Sequence, residues 1–182
     1  MKTITVKELM LPLNKYATVP RGATLREALL ALEKAQMTLD PTRHKHRAIL
    51  VLDESGKVVS KLTMKNILVA LEPNYGKVEG TDVLERSGFS PDLIKSMLED
   101  SALWAQPLQF VHERAAQRKV GDCTQSLSEG EYIDENATLG EAAHQLIVYP
   151  FHSLLVTSGD EVVGILRLSD VFTKICEIIK SG

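Results

Sequence analysis

Four consecutive residues, His44-Lys45-His46-Arg47, set two imidazoles, an ammonium and a guanidinium side by side. Groups of these types suit phosphate: Arg binds it with a two-pronged fork and Lys acts as a point charge. The plainer role for such a cluster is a solvated loop edge. No glycine-rich phosphate loop of the P-loop or dinucleotide type occurs, so phosphate would rest on side chains and helix N-termini. His44 and His46 have no Cys or carboxylate spaced to complete a metal site. Neither a Gly-x-Ser-x-Gly elbow nor a His-Glu-x-x-His pair is present. Carboxylates are scattered without the pairing that acid–base catalysis needs. His112 and His144 fall in helical stretches and read as structural or surface residues. None of these patterns points to a catalytic site, and an enzyme of unrecognised chemistry acting through the basic cluster stays a minor alternative.

The elements that must position these groups come from an internal repeat. Shifted by 114 positions, Val6–Ala28 lies over Val120–Ala142 without a gap, and seven of the 23 pairs are identical. Average composition would give roughly one or two. Later in the chain the shift becomes 104, with Val58-Val59 over Val162-Val163 and Leu62 over Leu166. The first copy is thus longer by ten residues, mostly between Lys34 and His46.

Each copy has the same local grammar. Thr24-Leu25-Arg26-Glu27 and Thr138-Leu139-Gly140-Glu141 are capping boxes that predict helices starting at the following residue. Leu25, Ala28, Leu29 and Leu32 share one helical face, as do Leu139, Ala142, Ala143, Leu146 and Ile147. Apolar runs follow at Ala48–Leu52 and Leu154–Val156. Turns at Asp53–Gly56 and Ser158–Asp160 lead into β-rich runs, Lys57–Leu62 and Glu161–Leu166, and each pair reads as a hairpin. A second helix closes each copy, over Met64–Leu71 and Leu168–Ile179. A short strand precedes each first helix, near Ala17–Val19 and Glu131–Ile133. A copy of about 60 residues has a marginal core alone. Two copies packed through their sheets predict one α/β unit with pseudo-two-fold symmetry and two equivalent clefts.

Composition narrows the rest. With 44% hydrophobic and 25% charged residues, the 182-residue chain is ordinary globular material. A net charge of −3 gives a nucleic-acid role no electrostatic support. No apolar stretch approaches a membrane span, and the opening MKTITVKELM lacks the apolar core of an export signal. The two cysteines, Cys123 and Cys176, form no framework, which favours a reducing cytoplasmic setting.

The repeat resembles a tandem pair of CBS (cystathionine β-synthase) domains over residues 3–71 and 119–180. The resemblance rests on the initial Val-Lys-Glu-Leu-Met, the Ala-Thr-Leu-x-Glu-Ala helix start, the Arg47–Val59 hairpin and the closing Gly164-Ile165-Leu166-Arg167-Leu168-Ser169-Asp170. It implies an α/β (α+β) fold of two β-α-β-β-α repeats: residues 1–71, a helical insertion at 72–118, and residues 119–182. It further implies a regulatory module, not an enzyme, that binds AMP, ADP, ATP or S-adenosylmethionine between the repeats, with no separate cofactor. Such pairs form homodimers and report to an effector protein, here unknown. The alternative is a non-enzymatic interaction module with degenerate, empty clefts.

The resemblance also implies site residues. The family's ribose pattern is Gly-x-x-Thr/Ser-x-x-Asp, and a carboxylate can accept from both ribose hydroxyls. The second copy offers Gly164, Arg167 and Asp170, with Arg in place of the hydroxyl. The first offers Ser60, Thr63 and Asn66, with Ser for Gly and Asn for Asp. Neither is complete, and of the two the site on Asp170 is favoured. Asp170 also suits the start of its helix, where a carboxylate complements the dipole. Basic residues at the strand entry reach phosphates, which implicates Arg47, His46 and, in the second copy, His152; Lys65 and Arg167 flank the ribose motifs. Thr18, Val19, Tyr132, Ile133 and Ile165 match the adenine-contacting edge. For Val19, Ile133 and Ile165 core packing is the better expectation for the side chains, leaving the backbone to the base.

Residues 72–118 match neither copy. Ser90-Pro91 predicts a helix start, with Leu93, Ile94, Met97 and Leu98 as its apolar stripe. Trp104, Leu108, Phe110 and Val111 follow, and the segment reads equally as a lid on the core or as an interface.

Overall fold

The structure is a computed structural model that describes residues 3–41, 43–72 and 110–181. The expected Ser90 helix, its stripe and Trp104 lie outside the described residues.

Each copy builds the elements its sequence pattern predicts, although Leu29 and Ile147, expected on the apolar faces of the first helices, are exposed. In the first, β2 (Thr18–Pro20), α2 (Leu25–Met37), β3 (Ala48–Leu52), β4 (Val58–Thr63) and α3 (Met64–Leu71) follow in order. A helix α4 (Val111–Gln117) leads into the second copy. There β5 (Tyr132–Asp134), α5 (Leu139–Val148), β6 (Ser153–Ser158), β7 (Glu161–Arg167) and α6 (Leu168–Ser181) repeat the order. Both capping boxes form: Thr24 and Thr138 accept from the amides of Glu27 and Glu141, whose carboxylates bond back. Both hairpins turn on a glycine at positive φ, Gly56 and Gly159, where a side chain would be strained. β2 runs parallel to β3 and β3 antiparallel to β4, while β5, β6 and β7 repeat that arrangement.

The segments before these units add what the sequence did not announce. A short helix α1 (Val6–Leu9) and a two-residue strand β1 (Leu11–Pro12) open the chain. β1 does not join its own copy. It pairs antiparallel with β7 of the second, Pro12 opposite Gly164. The counterpart of that pair, Ser126 opposite Ser60, forms in the other direction. The exchange continues upstream: Val6 N–H donates to Ala137 O at 2.8 Å, and Val120 N–H to Ala23 O at 2.8 Å. Leu139 N–H donates to Ile4 O, and Leu25 N–H to Arg118 O, each at 2.9 Å. Each copy's opening segment thus takes up the first free N–H of the other copy's first helix.

Three cores result. Val120 is fully buried in the first copy's core with Leu25, Ile49, Val51 and Leu62. Val6 is fully buried in the second copy's core with Leu154, Val156 and Leu166. The identity of Val6 and Val120 therefore marks one buried role used twice, each burial contributing about 1.5–3 kcal/mol. Between the sheets lies a third core of Leu11, Tyr16, Leu50, Leu155 and Ile165, which buries the faces that each copy alone would expose.

Gly164 is required by the exchange. A Cβ there would stand 2.6 Å from Leu11 O. Gly164→Ala is expected to lose about 1–3 kcal/mol and to lower Tm, since β1 or β7 must shift. Urea unfolding measures this, and an unchanged midpoint would mean that β1 is not seated on β7.

Candidate functional site

A cavity of about 940 Å³ lies where the two copies meet. The starts of α3 and α6 both line it, through Thr63, Met64, Lys65 and Asn66 on one side and Arg167, Leu168 and Ser169 on the other. So do the two strand entries, through His44, Lys45, Arg47 and Ala48 and through residues 150–153, and the exchanged segment 125–127. The two clefts expected from the repeat are joined here into one space.

The lining is cationic. Lys45, Arg47, Lys61, Lys65 and Arg167 face it against one lining carboxylate, Glu131. Lys61 and Arg167 are engaged across the two copies. Lys61 ion-pairs with Glu131, both side chains nearly buried, and donates to Ser153 O at 3.0 Å. Its Nζ also stands 5.5 Å over the Phe151 ring, a cation–π contact, and Phe151 stacks on Tyr149. Arg167 forms a two-pronged pair with Asp170, Nε to Oδ2 and Nη2 to Oδ1, each 2.6 Å, and donates through Nη1 to His44 O at 2.6 Å. Lys45 and Arg47 are exposed and carry no ion-pair partner among the described residues. Apolar walls come from Leu127, Pro150, Phe151 and Phe172.

The sequence-expected residues divide accordingly. Thr63, Asn66, Arg47, Lys65, His152 and Arg167 all line the cavity. Thr63 and Asn66 form a capping box at the start of α3: Thr63 N–H donates to Asn66 Oδ1 at 2.9 Å, and Asn66 N–H to Thr63 Oγ1 at 3.2 Å. Asp170 does not line the cavity; its carboxylate lies behind Arg167.

His46 departs from expectation. Its side chain is buried, it does not line the cavity, and its ring meets Tyr16 edge-on with centroids 4.3 Å apart. Burial, reinforced by the Arg167 charge and opposed by Asp170, lowers its pKa to about 4. A neutral ring inside the fold cannot supply the positive charge that phosphate would need. The alternation of the strand entry explains this: Arg47 faces out, so His46 faces in.

The adenine-edge residues also lie elsewhere. Thr18, Val19, Tyr132, Ile133 and Ile165 do not line this cavity. Val19 and Ile133 belong to the cores of their own copies, and Ile165 to the core between the sheets, against which Tyr132 packs. Thr18 and Val19 lie on β2 and Tyr132 and Ile133 on β5, which are edge strands of the two sheets, whereas Ile165 lies on the inner strand β7.

Sequence reading missed Tyr16, Lys61, Glu131 and Phe151. Burial raises the Tyr16 hydroxyl to about 12, so it remains a neutral hydrogen-bonding group. Lys61 carried a usable signal: it occupies the strand position that Ile165 fills in the other copy, and a lysine there breaks the buried pattern. Among the described residues no cluster of three or more His, Cys, Asp or Glu could hold a metal ion. No described helix is long and apolar enough to cross a membrane.

A family model for the CBS domain matches residues 6–73 and 128–177. The chain belongs to the CBS-domain family. No curated protein matches it by sequence. Among solved structures, the CBS-pair protein CBSX2 from Arabidopsis thaliana is similar, with 18% identity, TM-score 0.61, and 98% and 99% of the two chains covered. A CBSX2 structure in complex with AMP matches with 20% identity, TM-score 0.60, and 96% and 98% coverage. A CBS-domain protein of unknown function from Bacillus anthracis matches with 21% identity, TM-score 0.60, and 96% and 94% coverage. At these identities the likeness establishes the fold: a tandem CBS pair.

His46 yields a pH prediction. In the unfolded chain it takes a proton below about 6.5, whereas in the CBS pair it does so only near 4. The unfolded state therefore binds more protons between those values, and stability falls as pH drops through that window. The loss at full effect is up to about 3 kcal/mol. Urea midpoints at pH 7, 5.5 and 4.5 should decline in the native protein and decline less in His46→Phe. Equal slopes would show that the ring is not buried as described.

Proposed function

We propose that this CBS pair is a regulatory sensor of an adenosyl ligand (AMP, ADP, ATP or S-adenosylmethionine) and not an enzyme. The observation that carries the reading is the cavity shared by both repeats, cationic at its rim and apolar on its walls. Lys45, Arg47, Lys65 and His152 stand where they would meet phosphate, and the start of α3 offers Thr63 and Asn66 to a ribose. That CBSX2 forms a complex with AMP supports the choice of ligand class. Tyr16 and the aromatic walls bound the space left for the base, in place of the sheet edges at Thr18 and Tyr132.

A ligand touching both repeats would favour one packing of them over another, and its effect is limited to its differential affinity for the two packings. The output passes to an effector protein. A homodimer is part of this reading: Met64, Leu68, Phe172 and Ile179 are exposed apolar residues on α3 and α6, the helices that begin at the cavity. A cytoplasmic location rests on two free cysteines.

The second reading is an interaction module with empty clefts. It is favoured by one observation: both ribose positions are already satisfied within the chain, by the Thr63–Asn66 box and the Arg167–Asp170 pair. Thermal shift and calorimetry against AMP, ADP, ATP, S-adenosylmethionine and GMP separate the two readings. Binding to the native state raises Tm with ligand concentration. For AMP, Arg47→Ala is expected to weaken binding about tenfold, near 1.4 kcal/mol, through the loss of a charge-assisted bond. Adenosine, lacking phosphate, should bind both proteins alike. No response to any adenosyl ligand at millimolar concentration would favour the empty module.

A further inference from the structure

We propose that Arg167 is a built-in occupant of the second repeat's ribose position, so that the cavity accepts one adenosyl ligand per chain, on the side of Thr63 and Asn66. The proposal rests on the sensor reading above and decides which half of the site works. The two repeats place different residues at the same register position. Thr63 stands opposite Ala48 at the end of β4, and Arg167 opposite Ser153 at the end of β7. A threonine there caps its helix and leaves the cavity open. The arginine folds back over the helix start and takes both oxygens of Asp170.

Three features hold it there. The guanidinium and carboxylate are 5% and 10% exposed, so their pairing is shielded from solvent. The third prong reaches His44 O, in the stretch between α2 and β3 that carries most of the first copy's extra residues. His44 Nε2 meets Thr173 Oγ1 of α6 at 3.3 Å, a second tie between that stretch and the same helix. The second copy has only four residues between α5 and β6, where the first has ten between α2 and β3. The cover over Asp170 is therefore written into the asymmetry of the repeat.

The chemistry favours the occupant over a ribose. Ribose hydroxyls are neutral donors, and they would have to displace a paired, two-pronged cation. Displacement would also leave the guanidinium without a counter-charge in a nearly closed wall, which is strongly unfavourable. At the first repeat the corresponding pair, Thr63 and Asn66, is neutral and held by capping hydrogen bonds alone. Asn66 lines the cavity; its Oδ1 accepts from Thr63, and its amide NH2 supplies donors that a ribose hydroxyl can accept from.

Calorimetric titration with AMP tests this. The native protein should bind one AMP per chain, and Asn66→Ala should weaken it at least tenfold. Arg167→Thr should admit a second AMP, and Arg167→Thr with Asn66→Ala should keep one. If Arg167→Thr fails to fold, Arg167→Lys keeps the charge but loses the fork, and should admit the second AMP more weakly. Two AMP per native chain, or a single AMP indifferent to Asn66→Ala, or no second AMP in either Arg167 variant, overturns the proposal alone. AMP binding confined to the Arg167 variants overturns the native sensor reading and upholds Arg167 as the occupant. No AMP binding by any of these proteins overturns both.

Discussion

The reciprocal exchange of opening segments between the two repeats is the constraint on which the rest depends. Val6 sits in the second repeat's core and Val120 in the first's, each fully buried. Their amides and the neighbouring carbonyls complete backbone bonds on the partner repeat's first helix. A 60-residue unit alone is marginal, and here neither unit has a complete core without a piece of the other. The two repeats are therefore expected to gain and lose structure together. Their relative placement is also set, because each exchanged segment must reach both a helix start and a sheet edge.

That placement creates the cavity. With the sheets packed through Leu50, Leu155 and Ile165, the starts of α3 and α6 come to one space from opposite sides. Two cations on its walls are tied to the opposite repeat: Lys61 of the first to Glu131 and Ser153 of the second, Arg167 of the second to His44 of the first. Nearly buried ion pairs add little net stability against apolar substitutes, but breaking one leaves a costly unpaired charge. They act as registration marks between the repeats at the place where a ligand would bridge them.

The near-symmetry is also what makes the differences informative. Ser60 replaces Gly164 because the segment crossing it carries Thr124, whose hydroxyl accepts from Ser60 at 3.0 Å, whereas Gly164 must admit a backbone carbonyl. Lys61 replaces Ile165, and Thr63 replaces Arg167. These three substitutions on one strand give the two halves of the cavity different charge and different closure.

The order of elements, the two capping boxes, the glycine turns and the repeat itself were legible in the sequence. Each is encoded by residues within a few positions of one another, and local hydrogen bonding and periodicity are enough to set them. Of the candidate site, the residues at the two helix starts and strand entries were legible, apart from His46 and Asp170. His46 turns inward against Tyr16, far earlier in the chain, and Asp170 is held by Arg167 three residues before it, an arginine that is itself anchored to His44 O across 123 positions. The side chains of Val19, Ile133 and Ile165 are core, as the sequence led one to expect, but that their segments lie away from the cavity depends on how the repeats pack. The sequence by itself determined two copies of one α/β unit and a set of cationic candidates. Only the tertiary structure decided that the copies exchange their first segments, that two clefts become one cavity, and that Arg167 is tied to His44 of the other copy, because those contacts join residues that no local pattern links.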